Sequence, residues 1–255
     1  MKRPSFMPLS FRRRIQLLAA GKWIAFPLLP LVGYFSLRSG GRTALFSLVC
    51  PALFAAMAMW EASRRRQFIR EARFPAFLGA KLREEYPQLS ASDTDLALHG
   101  LRQFFLAHLR SNRKFVAMPS RLVDAAWHTF ILHTRAYDQW CSSAFGKLMH
   151  HTPAEVLGRD PKRNDGLRRT WYWACKEESI DPRKPSRLPL LFALDKKFAI
   201  PGGFTYVPDC QDIDRRSGSD AYCGTSFGGG EASSGDAAGD GGDGGGCGGG
   251  CGGGD

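Results

Sequence analysis

"SRLVDAAWHTFILHTRAYDQWCSSAFGKLMHH", Ser120 to His151, decides how the body of this chain is read. Between Ser120 and Phe145 it has neither glycine nor proline, so it reads as one helix or two nearly collinear ones. Pro119 and a Ser120 N-cap open it, and Gly146 closes it as the residue after the C-cap. Steps of three and four select Val123, Trp127, Phe130, Thr134, Tyr137, Cys141 and Phe145. These form one core-facing stripe.

Beside the stripe, Asp124 and His128 are spaced i, i+4 on one face. They could bind one metal ion, or Asp124 could orient the imidazole of His128. An ordinary helical ion pair or hydrogen bond explains the spacing as well. Thirteen residues separate His128 from Cys141, about 20 Å along a continuous helix. Zinc ligands lie about 2.0–2.3 Å from the ion, so those two cannot share one unless the helix breaks near Thr134 to Tyr137. His150 and His151 follow the Gly146 break, where the chain can double back. Asp124 and His128 with His150 or His151 are therefore the candidate ligands of a zinc-like divalent metal. Cys141 with one of those two histidines is the weaker set. A polar helix end explains His150-His151 equally, and His133 reads as solvent-facing or as a partner of Tyr137.

Familiar chemistry is otherwise scarce. HExxH, CxxC, a strand-turn-helix GxGxxG and a Walker-type loop are all missing. A Cys141–His150 nucleophile pair is disfavoured, because buried thiols are usually inert. "WYWACK", Trp171 to Lys176, could stack nucleic-acid bases, but core packing explains it more simply. No specific nucleic-acid partner is expected.

The neighbouring segments are also helical in pattern. "RFPAFLGAKLREEYP" stops at Pro87. "SASDTDLALHGLRQFFLAHLR" starts on cap residues and is weakened by Gly100. "RNDGLRRTWYWACKEESIDP" offers Asp165 as a cap and the stripe Leu167, Trp171, Ala174 and Cys175. Pro201-Gly202-Gly203 reads as a turn, and "FTYV" as a short strand.

The N-terminus reads as a transmembrane hairpin over residues 15–60. Ile15 to Leu37 would reach about 34 Å as a helix, and Thr43 to Trp60 about 27 Å. "RSGGR" joins them, and Trp23, Tyr34 and Trp60 fall near the ends. Arginines and lysines flank both outer ends: Lys2, Arg3 and Arg12 to Arg14 on one side, Arg64 to Arg66 and Arg70 on the other. The positive-inside rule then predicts a multi-pass membrane protein, in the inner membrane of a bacterium, with both termini cytoplasmic. The lipid bilayer is thus the expected partner, and structural disulfides are not expected.

The 255 residues carry a net charge of +11, unevenly spread. Past Arg216 there is no lysine or arginine, and "GGGEASSGDAAGDGGDGGGCGGGCGGGD" has almost nothing to bury. The expected organisation is a basic N-terminus (1–14), the hairpin (15–37 and 43–60), a helical domain (61–215) and a disordered acidic tail rich in Gly and Cys (216–255). The fold class is mainly α.

Val123-Asp124, Trp127-His128, Ile131-Leu132, Thr134, Tyr137, Cys141, Phe145-Gly146 and His150-His151-Thr152-Pro153 together resemble the core signature of the glycine-rich-domain-containing protein family. That family occurs in plants, with bacterial relatives. Trp127, Tyr137 and Gly146 are its signature positions here, and the spaced cysteines of the tail suit its name. The family pattern carries a second histidine two residues after the first. Phe130 stands there in this chain, against a His-x-His ligand pair. The resemblance implies a mainly helical domain and no particular reaction.

The function expected is a membrane-anchored helical interaction module with a protein partner, steadied by a metal or hydrogen-bond cluster around Asp124, His128 and His150-His151. Two alternatives remain. One is a metal-dependent enzyme using Asp124, His128, His150 and His151. The other is a thiol-based metal or redox sensor using Cys247 and Cys251.

Overall fold

The structure, a computed structural model, describes residues 13, 15–21, 23, 40–151, 161–209 and 222–228. It is mainly helical. Residues 15–21 are helical, and the long α1 follows over Gly40–Glu71. Then come α2 (Ala76–Glu85), α3 (Ala91–Arg110), α4 (Arg121–Leu132), α5 (Thr134–Ala144), α6 (Pro161–Glu177) and α7 (Leu190–Lys197). Strands β1 (Tyr206–Val207) and β2 (Tyr222–Cys223) pair in parallel, and a short α8 (Thr225–Gly228) ends the described chain.

Helix α3 is the axis of the domain, with α1, α2, α4, α6 and α7 packed around it. Its start is fixed by a full capping box. Ser90 Oγ accepts from Asp93 N at 3.2 Å, and the Asp93 carboxylate accepts from Ser90 N at 2.9 Å. Leu101, Phe104 and Phe105 are fully buried along it. Burying an aliphatic or phenyl side chain of this size contributes about 1.5–3 kcal/mol. Gly100 has a use that its poor helix propensity hides. A Cβ there would stand 2.6 Å from Leu194 Cδ1 and 3.1 Å from Val123 Cγ2, so the missing side chain lets α4 and α7 approach α3 closely.

An aromatic cluster fills the space between α1, α3, α4 and α5. Trp140 stacks on Phe74 at 5.6 Å and lies 4.6 Å from Phe105, with Phe68, Phe130 and Phe145 around it. The same packing buries His108, whose ring meets Phe145 edge-on at 5.0 Å. Its Nδ1–H donates to Lys114 O at 3.2 Å. Burial pushes the imidazole down to about 4, helped by the charges of Arg113 and Lys147 and opposed by the Lys114 hydrogen bond. Above the ordinary value of 6.5 both folded and unfolded states are neutral there, so stability is full. Below 6.5 the unfolded state takes up the proton first, and stability falls until about pH 4. The expected loss across that window is about 3 kcal/mol. Urea unfolding of the wild type and a His108→Gln variant, measured between pH 7 and 4, checks this. The variant should lack that component, and equal slopes would refute it.

Three expectations about the ends of the chain are corrected. The first is the membrane hairpin. Among the described residues no helix is long and apolar enough to cross a membrane. This overturns the multi-pass membrane placement with both termini cytoplasmic. The second apolar run is not an independent span. It is the first part of a 32-residue helix that continues through Glu61, Arg64, Arg65, Arg66 and Arg70, and that buries Phe68 and Ile69 in the domain core. Residues 15–21 and Trp23 lie along it, with the Trp23 ring 6.3 Å from Phe54. Residues 24–39 of the first run lie outside the described residues.

The second correction concerns the tail drawn from residue 216. Residues 222–228 are ordered: β2 pairs with β1, and Phe227 packs against Trp171, Phe192 and Tyr206. Gly224 makes this contact sterically open. A Cβ there would lie 2.4 Å from the Trp171 indole and 2.6 Å from Pro208 O. Cys223 and Phe227, just before the glycine run, are both buried. Residues 229–255, including Cys247 and Cys251, lie outside the described residues.

The third correction is that Cys223 is disulfide-bonded. The expectation of reduced thiols followed from the cytoplasmic orientation and falls with it.

Candidate metal centre

The first turn of α4 is built before the site is. Ser120 Oγ accepts from Val123 N at 3.2 Å, as an N-cap should. Asp195, buried on α7, accepts from Arg121 N at 2.8 Å and Leu122 N at 3.2 Å, and also from Ser120 Oγ at 2.6 Å. The open N–H groups of the helix start are therefore met by a carboxylate, where the helix dipole also favours negative charge. Asp124 sits in that fixed first turn, and His128 stands one turn further on.

The helix then breaks. Leu132 ends α4, and His133, at φ −89° and ψ 61°, is both its C-cap and the N-cap of α5. Thr134, placed on the core stripe by spacing alone, is exposed at this break. His133 is exposed too. Its ring stacks on Phe77 at 3.8 Å, and its Nδ1 lies 2.9 Å from Thr129 O, whereas the Tyr137 hydroxyl meets Trp127 and Met149 instead. Helix α5 closes at Gly146, which takes φ +81°. That left-handed turn suits glycine and sends the chain back toward α4.

The return brings His151 onto Asp124. His151 Nε2 lies 3.3 Å from Asp124 Oδ1, and His128 Nδ1 lies 3.4 Å from Asp124 Oδ2. The two imidazole rings are 4.3 Å apart, centre to centre. One ligand atom from each of Asp124, His128 and His151 can be chosen so that all lie within 4.8 Å of one another. His151 is mostly covered, whereas the His128 side chain is 51 % exposed. Of the predicted ligands, His150 is exposed and takes no part in the cluster. Cys141 takes no part either. Burial pushes its thiol up to about 11, although hydrogen bonds with the Met149 backbone and Tyr137 pull the other way. It is a buried core thiol that lies outside the three-residue cluster.

Beneath the cluster lies a group whose role the spacing did not reveal. Tyr137 Oη accepts a hydrogen bond from Trp127 Nε1 at 3.1 Å and donates one to Met149 O at 2.6 Å. Burial drives its phenol well above the ordinary tyrosine range. Trp127 and Tyr137 are both aromatic residues with a polar tip on the core stripe, and such tips need partners when buried. That was the available signal.

A family model described as UCP032817-like matches residues 64–227. The chain belongs to the UCP032817-like family. The matched region opens in the second half of α1 and closes on Phe227, so it takes in Asp124, His128, His151 and the ordered end of the chain. Membership of the UCP032817-like family overturns the resemblance to glycine-rich-domain-containing proteins. That resemblance rested on about thirty residues around one helix break, where Trp127, Tyr137, Cys141 and Phe145 are all buried packing residues. No curated protein and no solved structure matches the chain.

Proposed function

We propose that this helical domain is a divalent-cation-binding module, with the ion held by Asp124, His128 and His151. One observation carries the reading: the ligand atoms of the three side chains already lie within 4.8 Å of one another. Two ligands each about 2.0–2.1 Å from a tetrahedral ion sit about 3.4 Å apart. The separations from Asp124 Oδ2 to His128 Nδ1, 3.4 Å, and from Asp124 Oδ1 to His151 Nε2, 3.3 Å, are of that size, each on its own carboxylate oxygen. They are also longer than the usual hydrogen bond of about 2.7–3.2 Å. Two imidazoles with one carboxylate favour a zinc-like transition metal over Mg²⁺ or Ca²⁺, which prefer all-oxygen shells.

A second reading, a metal-dependent enzyme, is favoured by the exposure of His128. An ion there would be reachable from solvent, as a reacting centre must be. In the first reading the module serves a protein partner and its ion is structural. The tethered-thiol sensor has only Cys247 and Cys251 to rest on, and both lie outside the described residues.

The test is calorimetric titration of metal-free full-length protein with Zn²⁺ and Mg²⁺, in a Cys247→Ser/Cys251→Ser background so that the tail thiols do not compete. The wild-type site should take up one Zn²⁺ per chain and bind Mg²⁺ far more weakly. His151→Ala and His128→Ala should each weaken Zn²⁺ at least 100-fold with unchanged far-UV circular dichroism. Zn²⁺ uptake unaffected by His151→Ala would refute the assignment.

A further inference from the structure

We infer that Tyr137 is the positioning residue of this centre: its hydroxyl locks the Trp127 indole and the Met149 carbonyl together and thereby holds His151 against Asp124 and His128. The inference rests on the metal reading and adds a residue that does not touch the ion. His151 lies on the segment that follows Gly146, outside any helix, so α5 alone does not fix its position. Two contacts do. Met149, two residues before it, has its carbonyl held by Tyr137 Oη at 2.6 Å. The Trp127 ring, directly before His128 in α4, meets the His151 ring at 4.6 Å. Trp127 Nε1 and Met149 O meet on the same phenol oxygen.

The hub is itself rigid. Tyr137 is 3 % exposed and packs edge-on against Phe130 at 5.3 Å. One hydroxyl thus ties α4, α5 and the returning segment at the point where the three ligands converge. Removing it frees the carbonyl that sets the path to His151 and the indole that meets its ring. Groups that orient metal ligands from behind typically change affinity about 10- to 100-fold when removed.

Three variants test this in the full chain carrying the two tail-cysteine substitutions. Tyr137→Phe keeps the ring and loses the hydroxyl. Trp127→Phe keeps an aromatic ring near His151 and loses the donor. Met149→Leu keeps the carbonyl. Co²⁺ is titrated into each, because its visible bands report the coordination geometry as well as the affinity. Tyr137→Phe should bind Co²⁺ at least 10-fold more weakly, with altered bands. Trp127→Phe should lie between it and the wild type, and Met149→Leu should match the wild type. A purely structural role would lower thermal stability in all three while leaving the bands unchanged.

The second readout uses no metal. In metal-free protein the His151 ring-proton shifts, displaced by the neighbouring Trp127 ring, should move toward free-histidine values in Tyr137→Phe. Two failures are distinguishable. If the wild type takes up no Co²⁺, the metal reading falls, and this inference falls with it. If the wild type binds through His151 but Tyr137→Phe matches it in affinity, bands and His151 shifts, this inference alone is overturned.

Discussion

Asp195→Ala is expected to destabilise the domain by about 3–5 kcal/mol, a large share of the roughly 5–15 kcal/mol that holds a domain together. The reason is the number of donors that converge on one buried side chain. Oδ1 accepts from Ser120 Oγ and Leu122 N, and Oδ2 accepts from Arg121 N and Phe204 N at 2.9 Å. Asp195 is only 3 % exposed, so water does not replace it freely. Each buried donor left unmet costs about 1–3 kcal/mol.

The isosteric Asp195→Asn should rescue little of this. Its amide nitrogen must face either Ser120 Oγ and Leu122 N or Arg121 N and Phe204 N, and in each case at least one backbone N–H points at a donor. Thermal unfolding followed by circular dichroism separates the cases. Both variants should melt well below the wild type, Ala lowest. An Asp195→Asn protein with wild-type stability would show that the four contacts do not carry the weight given to them. Because the same carboxylate fixes the turn that carries Asp124, any Asp195→Asn protein that folds should also bind metal more weakly.

Asp195 marks the boundary of what was legible in the sequence. Local features could be read because their causes are local. Ser90 and Ser120 cap the helices they precede, Gly146 takes the left-handed turn, and the stripe from Val123 to Phe145 is buried except at Thr134. Thr134 fails because the helix breaks at His133, and nothing within four residues of His133 announces a break. The Asp124–His128–His151 cluster was half legible. The i, i+4 spacing of Asp124 and His128 is a helical property, whereas the choice of His151 over His150 depends on how the segment after Gly146 is tethered. That tether is a tertiary hydrogen bond from Tyr137.

The N-terminal error has a different origin. Thr43 to Trp60 is apolar enough by composition to suggest a span. Composition does not show that the same helix runs on into charged residues and docks its far end in the core. The ordered Tyr222–Gly228 end was missed because the surrounding glycines dilute Phe227, whose ring has a preformed partner in Trp171.

That docking of α1 sets the second large effect. Arg65 is buried, and its Nε donates to Glu61 Oε1 at 2.9 Å one turn back on α1. Its Nη1 donates across the interface to Ser142 O at 3.2 Å and Ser143 O at 2.9 Å, in the last turn of α5. One guanidinium therefore meets a buried carboxylate and satisfies Ser143 O, which the helix end leaves open, while Ser142 O also accepts from Gly146 N at 3.0 Å. Arg65→Met keeps much of the volume but loses both the pair with Glu61 and the donor to α5. Losing the two together is expected to cost about 3 kcal/mol.

The double variant Glu61→Leu/Arg65→Met discriminates between the two roles. If the ion pair were the whole effect, replacing both partners with apolar groups would return wild-type stability or better. The Ser143 carbonyl still loses its donor, whereas Ser142 O keeps Gly146 N, so the double variant should remain about 1–3 kcal/mol below the wild type while standing well above Arg65→Met. Urea unfolding of the three proteins reads this order directly. Full recovery in the double variant would reduce Arg65 to a counter-ion. A double variant no better than Arg65→Met would mean that the contact to α5 carries the whole cost, with the Glu61 pair contributing little.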